Sequence, residues 1–178
     1  MRSSKRLAVT AGLIAASAIW AELSATRSAA QGYAPGEEVA TYVNVRYGFT
    51  LSYPTARFRP QEPLSEEGRV WTSPDGSAKL LAGALPNDEG LTPSQYRDFL
   101  LKESYSGSEV DYAPMRDTWF VLSGTRDGTM FYERVTFTCG GRRINSWAML
   151  YPAGERQVYD RIVEKVARTY RAGERNCG

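Results

Sequence analysis

The chain contains no histidine. A Ser-His-Asp or Cys-His nucleophile therefore has no base to work with. There is no Gly-x-Ser-x-Gly elbow, so the usual setting of a hydrolase serine is missing too. The glycines of "CGGRR" (139–143) are too few for a phosphate loop and lead into a strand rather than a helix. No calcium-loop spacing of Asp and Asn occurs. Two cysteines without histidine fall short of a structural zinc set. No metal and no cofactor is expected.

What remains is acid and arginine chemistry. Paired carboxylates need no local motif, so they survive this screen. Glu133 is the most interesting acid, because strand alternation places it among apolar residues. A carboxylate there has a raised pKa unless it is paired. Read functionally, it is a general acid of a small hydrolase. Read structurally, it is half of an internal ion pair, and 18 of the 22 basic residues are arginine. The structural reading is the commoner one. Arg142 and Arg143, with Arg46 and Arg134 within reach, would form an anion site or a charged hairpin tip. Asp75, Asp88 and Asp127 are turn residues by position.

Cys139 and Cys177 have only each other as partners. In an oxidising compartment such a pair is a disulfide. The N-terminus supplies the compartment. "MRSSKR" is basic, the next 15 residues (7–21) are uncharged and apolar, and "TRSAA" places small residues at Ser28 and Ala30. This is the order of a secretory signal peptide, with cleavage expected after Ala30 or else Ala21. The apolar run is short for a membrane span, the alternative being an uncleaved anchor. The leader has no cysteine to carry a lipid. The protein is therefore read as periplasmic or secreted, with no stable membrane insertion after cleavage.

Charge then narrows the partners. The chain has 22 Lys and Arg against 20 Asp and Glu. Residues 1–30 hold four of the bases and one acid, leaving 18 against 19 and a net charge of −1. Nucleic-acid binding needs clustered positive charge, so a protein or a small ligand is the expected partner.

The elements that position these residues can be read along the chain. Residues 31–41 read as a flexible lead-in and 42–178 as one globular domain. "TYVNVRYGFTLSYP" alternates with a break at Gly48, giving two short strands or one bulged strand. "RVWTSPDGSAKLLAGALP" is a hairpin about Pro74-Asp75-Gly76. "LTPSQYRDFLLKESY" is a helix with Thr92 as N-cap, Pro93 at its first position and Gln95 closing a capping box. Tyr96, Phe99 and Leu100 form its apolar stripe. "EVDYAPM" is a short strand, and "ERQVYDRIVEKVARTY" is the last helix.

Residues 118–151 form three strands joined at Asp127-Gly128 and Gly140-Gly141. Two-residue turns pair Leu122 with Glu133, Phe120 with Val135, Phe131 with Leu150, Phe137 with Ile144, and Cys139 with Arg142. One face then carries Phe120, Leu122, Phe131, Val135, Phe137, Ile144, Ala148 and Leu150, which is core. The other carries Trp119, Val121, Tyr132, Arg134, Trp147 and Met149, with Arg134 set to stack on Trp147. Such a face is either covered, the commoner outcome, or a binding surface. Trp119, Tyr132, Arg134 and Trp147 are thus the candidate ligand-binding residues.

"YVNVRYGFTLSYP", "EEGRVWTSPDGSAKL", "LSGTRDGTMFYERVTF" and "AMLYP" before a terminal helix together resemble the Mog1/PsbP-like superfamily, over roughly residues 42–170. The resemblance implies an α/β (α+β) fold, an antiparallel sheet flanked by helices in an α/β/α sandwich. That family includes a nuclear GTPase-binding factor and thylakoid-lumen accessory proteins of photosystem II, acting by binding and assembly. No family catalytic residue has a counterpart here. The expectation is an exported, non-enzymatic binding or accessory protein. The alternatives are a small carboxylate-dependent hydrolase, or a purely structural envelope or stress protein.

Overall fold

A computed structural model describes residues 38–63 and 65–177. The leader and most of the lead-in lie outside the described residues. Strand β1 (Val39–Val43) already includes residues 39–41, which were expected to belong to the lead-in.

Among the described residues, nine strands and two α-helices follow one another. They are β1, β2 (Thr50–Pro54), β3 (Arg59–Pro60), β4 (Gly68–Thr72), β5 (Lys79–Pro86), helix α1 (Pro93–Glu103), β6 (Glu109–Tyr112), β7 (Trp119–Arg126), β8 (Thr129–Thr138), β9 (Arg143–Pro152) and helix α2 (Arg156–Thr169). Strands β3 to β9 form one antiparallel sheet in the order β3-β4-β5-β9-β8-β7-β6. Strands β1 and β2 form a separate ribbon. Among the described helices, none is long and apolar enough to cross a membrane.

The register of the meander is the one the turns dictate. Leu122 pairs with Glu133, Phe120 with Val135, Phe131 with Leu150 and Phe137 with Ile144. Asp127 and Gly128 both have positive φ, 49° and 77°, which a type I′ hairpin turn requires. The second connection differs. Pairing stops at Thr138 and Arg143, and Cys139 to Arg142 make a four-residue 3-10 turn. Cys139 itself takes a left-handed φ of 56°. Two residues were added to the loop symmetrically, so the register is unchanged.

Alternation along the strands divides the core into two. The expected apolar face, with Leu81, packs under Tyr96 and Leu100 of α1 and Tyr105 beyond it. Helix α1 is capped as its sequence demands: Thr92 Oγ1 accepts from the Gln95 amide, and Gln95 Oε1 accepts from the Thr92 amide. The opposite face holds Trp71, Leu80, Trp147, Met149 and Tyr151 beneath Tyr159, Ile162, Val163 and Val166 of α2. The β1–β2 ribbon shares this face. Tyr42 and Tyr53 each place a ring 5.2 Å from Trp71.

The chain after α2 ties both layers together. Arg171 pairs with Thr50 of β2. The Gly173 amide donates to Asn145 Oδ1 at 2.8 Å, and Thr138 Oγ1 donates to the Gly173 carbonyl at 2.7 Å. A Cβ on Gly173 would collide with the Tyr47 carbonyl, so only glycine fits there. Cys139 and Cys177 are joined as a disulfide, with Cα atoms 5.3 Å apart.

The two cysteines lie 38 residues apart in sequence. Opening that loop in the unfolded chain should cost the protein roughly 3–4 kcal/mol. Urea unfolding of the Cys139→Ser, Cys177→Ser double variant against the oxidised parent measures this. A loss below about 1 kcal/mol would mean that the hydrogen bonds of the tail hold it without the staple.

Candidate functional site

The arginines of the second hairpin do not form an anion site. Arg142 Nη2 donates to the Cys177 carbonyl at 2.6 Å. Arg143 donates to the carbonyls of Arg175 and Asn176 and lies 4.1 Å from the Tyr47 ring. Arg46 lies 5.1 Å from the centre of the same ring and pairs with Glu66 at 3.9 Å. Arg142 and Arg143 clasp the C-terminal tail. Their role was invisible in the sequence because the acceptors are backbone carbonyls more than 30 residues away.

Glu133 is buried on the apolar face, as alternation required. Its partner is not an arginine. Tyr105 Oη donates to Glu133 Oε2 at 2.6 Å, and the Ser146 hydroxyl also favours its charged form. Tyr105 is held in place by stacking on Phe131, ring centroids 4.3 Å apart. Burial raises the Glu133 pKa to about 7, and the two hydroxyls only partly offset it. The groups whose titration Glu133 disturbs are Tyr96 and Tyr105, both pushed up mainly by their own burial. Among the described residues no second carboxylate acts on Glu133, so this cluster does not show the pair that acid–base hydrolysis needs. Among the described residues no three metal-ligating side chains converge either.

The aromatic face is the part of the molecule that is open and unusual. Helix α2 covers its centre. Trp147 is fully buried, and so cannot meet a ligand from solvent as the sequence reading proposed. Tyr132 packs a ring 5.0 Å from it and remains partly accessible. Towards β6 the cover ends. Trp119 is partly exposed and Tyr112 is 56% exposed.

Two arginines flank Trp119. Arg134 does not stack on Trp147, its cross-strand neighbour. It leans diagonally, with its guanidinium carbon 4.7 Å from the centre of the Trp119 ring. Arg116 lies 6.0 Å from the same ring. The loop after β6 brings it there: Arg116 N donates to the Trp119 carbonyl at 2.8 Å, and Val121 N to the Pro114 carbonyl at 2.9 Å. Strand β6 itself lies so close to β7 that a Cβ on Gly124 would collide with the Glu109 carbonyl. Arg116 and Tyr112 were not singled out in the sequence, since a loop and a bulged edge strand have no period to read.

Beneath Arg134 lie two polar atoms without a partner. Trp147 Nε1 and Tyr170 Oη are buried and make no hydrogen bond. Their rings are 6.2 Å apart. Burial pushes the Tyr170 phenol up, and the charge of Arg134 counters this. The same arginine acts against burial at Tyr132.

A concavity of about 220 Å³ lies between the β1–β2 ribbon and α2. Val39, Tyr53, Pro54 and Val166 line it, with Lys165 and Arg168 at its rim. It has no carboxylate or thiol in its lining.

No protein-family model and no curated protein sequence matches the chain. Solved structures do. Cyanobacterial PsbP (CyanoP) of Synechocystis sp. PCC 6803 superposes with a TM-score of 0.56 at 13% identity, over 82% of this chain and 98% of that one. The Ran-binding protein Mog1p of Saccharomyces cerevisiae gives 0.57 at 8% identity, over 80% and 99%. The chain has a Mog1/PsbP-like fold. A further Mog1 structure, at a TM-score of 0.53 and 7% identity, agrees. The Mog1/PsbP-like sheet with its two helices is what the element order implied; at these identities the likeness extends to the fold.

Glu133 gives a pH-dependent prediction. Its folded pKa, about 7, lies above the ordinary 4.5. The native state therefore keeps a proton that the unfolded state releases, and stability falls as pH rises from about 4.5 to 7. The loss from this group totals about 3 kcal/mol. Glu133→Gln should flatten that slope and be the more stable form at pH 8. Urea unfolding of both proteins at pH 5 and 8 tests it, and parallel slopes would contradict it.

Proposed function

We propose that this protein is an exported, non-enzymatic binding or accessory protein that docks a partner on the face made by Trp119, Arg116, Arg134 and Tyr112. The observation that carries this reading is the uncovered end of the sheet. A partly exposed indole with two guanidiniums near its ring is poorly explained by folding alone, because aromatic and arginine side chains are those that dominate interface energetics. Asp75, Thr92 and Glu133, by contrast, serve a turn, a helix cap and a buried cluster.

Similarity to a protein named for binding Ran supports a binding role in kind. Export is supported by the leader pattern and by the disulfide, which fits an oxidising compartment. The partner is a protein or a small ligand, and nucleic acid is disfavoured by a net charge of −1 after the leader. No specific observation favours the hydrolase reading, since Glu133 is sealed from solvent and unpaired with another acid.

The test is a photo-crosslinker placed at Tyr112, in cells that naturally make the protein. An adduct should form there, and weaken strongly with Trp119→Ala. The same crosslinker at Val45, exposed on the ribbon, serves as control. Mass spectrometry of the adduct should find a mature chain starting near Gln31. Equal adducts at both positions, or none at Tyr112, would contradict the assignment of this face.

A further inference from the structure

The large sheet protects both of its edges. At one end, β3 is only two residues long, an arginine and a proline. At the other, β6 carries Glu109 and Asp111 and is irregular between Val110 and Tyr112. Shortness, proline, charge and bulges keep a second chain from pairing with an edge. Strand β1 of the ribbon has no charge, proline or bulge: it reads Val-Ala-Thr-Tyr-Val and pairs regularly with β2. The outer edge of β2 is occupied. Thr50 exchanges both backbone hydrogen bonds with Arg171, and the Ser52 amide donates to Thr169 Oγ1 at 3.2 Å. The outer edge of β1 is bare. The Glu38 carbonyl accepts from the Thr55 amide, and the Asn44 amide donates to the Phe49 carbonyl, so even-numbered positions bond towards β2. By alternation the amides and carbonyls of Val39, Thr41 and Val43 point the other way. Among the described residues β2 is the one strand that pairs with β1. Val39, Thr41 and Val43 are all exposed.

We propose that this edge pairs with the same edge of a second copy of the chain, antiparallel and centred on Thr41, so that the two ribbons join into one continuous sheet. The edge is its own complement. About Thr41 the outward residues read the same in both directions. Val39 meets the second copy's Val43, and Thr41 meets the second copy's Thr41. Backbone polarity agrees with this register. Positions 39, 41 and 43 are those with free amides and carbonyls, and each such pair exchanges two hydrogen bonds. On the inner side the same register sets Tyr42 against Ala40, a large side chain against a small one. Threonine opposite threonine is a favourable cross-strand pair. Charge is also complementary. The exposed Glu38 falls opposite Asn44, with Arg46 two positions further on, and no two like charges meet. A two-fold axis through the Thr41 pair closes the assembly at two copies. An unrelated extended chain would meet the same backbone groups without this match of side chains.

Sedimentation of the mature, oxidised protein tests this. A reversible dimer is expected, weak because a five-residue ladder is a small interface, and populated at about 100 µM. Thr41→Lys sets two ammonium groups against each other on the axis. It should weaken the dimer by about tenfold or more, with an unchanged urea midpoint because Thr41 is exposed. Thr41→Cys should join two copies through an intermolecular disulfide, since the Cα atoms of such a pair lie about 5.5 Å apart. Val45→Cys, exposed but beyond the ladder, should not. A monomer at every concentration overturns the proposal. A dimer that Thr41→Lys leaves intact, or that Thr41→Cys fails to trap, overturns it too and places the interface elsewhere. Hydrogen-exchange protection of the Thr41 and Val43 amides that does not change with concentration would assign the edge to another part of the same chain, and overturns it equally. The docking face beside Trp119 is a separate surface, and a self-adduct at Val45 is told from a partner adduct by its mass.

Discussion

Everything else in this molecule depends on the alternation of β8. Glu133 and Arg134 are adjacent and point to opposite faces of the sheet. One slip of register would drive the arginine into the apolar layer under α1 and the carboxylate towards Trp147. The type I′ turn at Asp127-Gly128 and the four-residue turn at Cys139–Arg142 prevent that slip from either end. Strand β9 adds to the constraint, because it is buried along nearly all of its length. The two charged residues can therefore be treated separately, one as a matter of stability and the other as a matter of recognition.

The two faces solve different problems. Under α1, the layer is apolar apart from Glu133, whose charge is resisted by burial and tolerated through two hydroxyls. Under α2, large rings fill the centre and the helix stops short of β6. The tail after α2 then turns back over the β8–β9 hairpin, secured by Asn145, by Arg142 and Arg143, and by the disulfide. That clasp sets where Tyr170 sits, and hence where the cover over Trp147 ends. The staple at one end of the sheet and the open face at the other edge are linked through the same segment.

Much of this was legible in the sequence. The hairpin turns gave the register, the alternation gave the two apolar layers, and Thr92 to Gln95 gave the start of α1. The compartment argument gave the pairing of Cys139 with Cys177. What escaped was set by long-range geometry. Tyr105 follows a helix and has no period of its own, so its bond to Glu133 could not be foreseen, and an arginine was expected instead. The diagonal lean of Arg134 onto Trp119 depends on side-chain direction, which cross-strand pairing does not fix. Trp147 was grouped with its exposed neighbours because the sequence does not say how far α2 reaches across the sheet. Arg142 and Arg143 looked like a site and proved to be a clasp.

Amide hydrogen exchange on the native complex, isolated from the cells that make it, tests the central claim most directly. The account predicts that partner binding slows exchange in β6, in residues 113–118 and at the start of β7, while β1, β2 and the cleft beside Lys165 and Arg168 exchange as in the free chain. Protection confined to the ribbon and that cleft would contradict it, and would move the working surface away from β6 and β7.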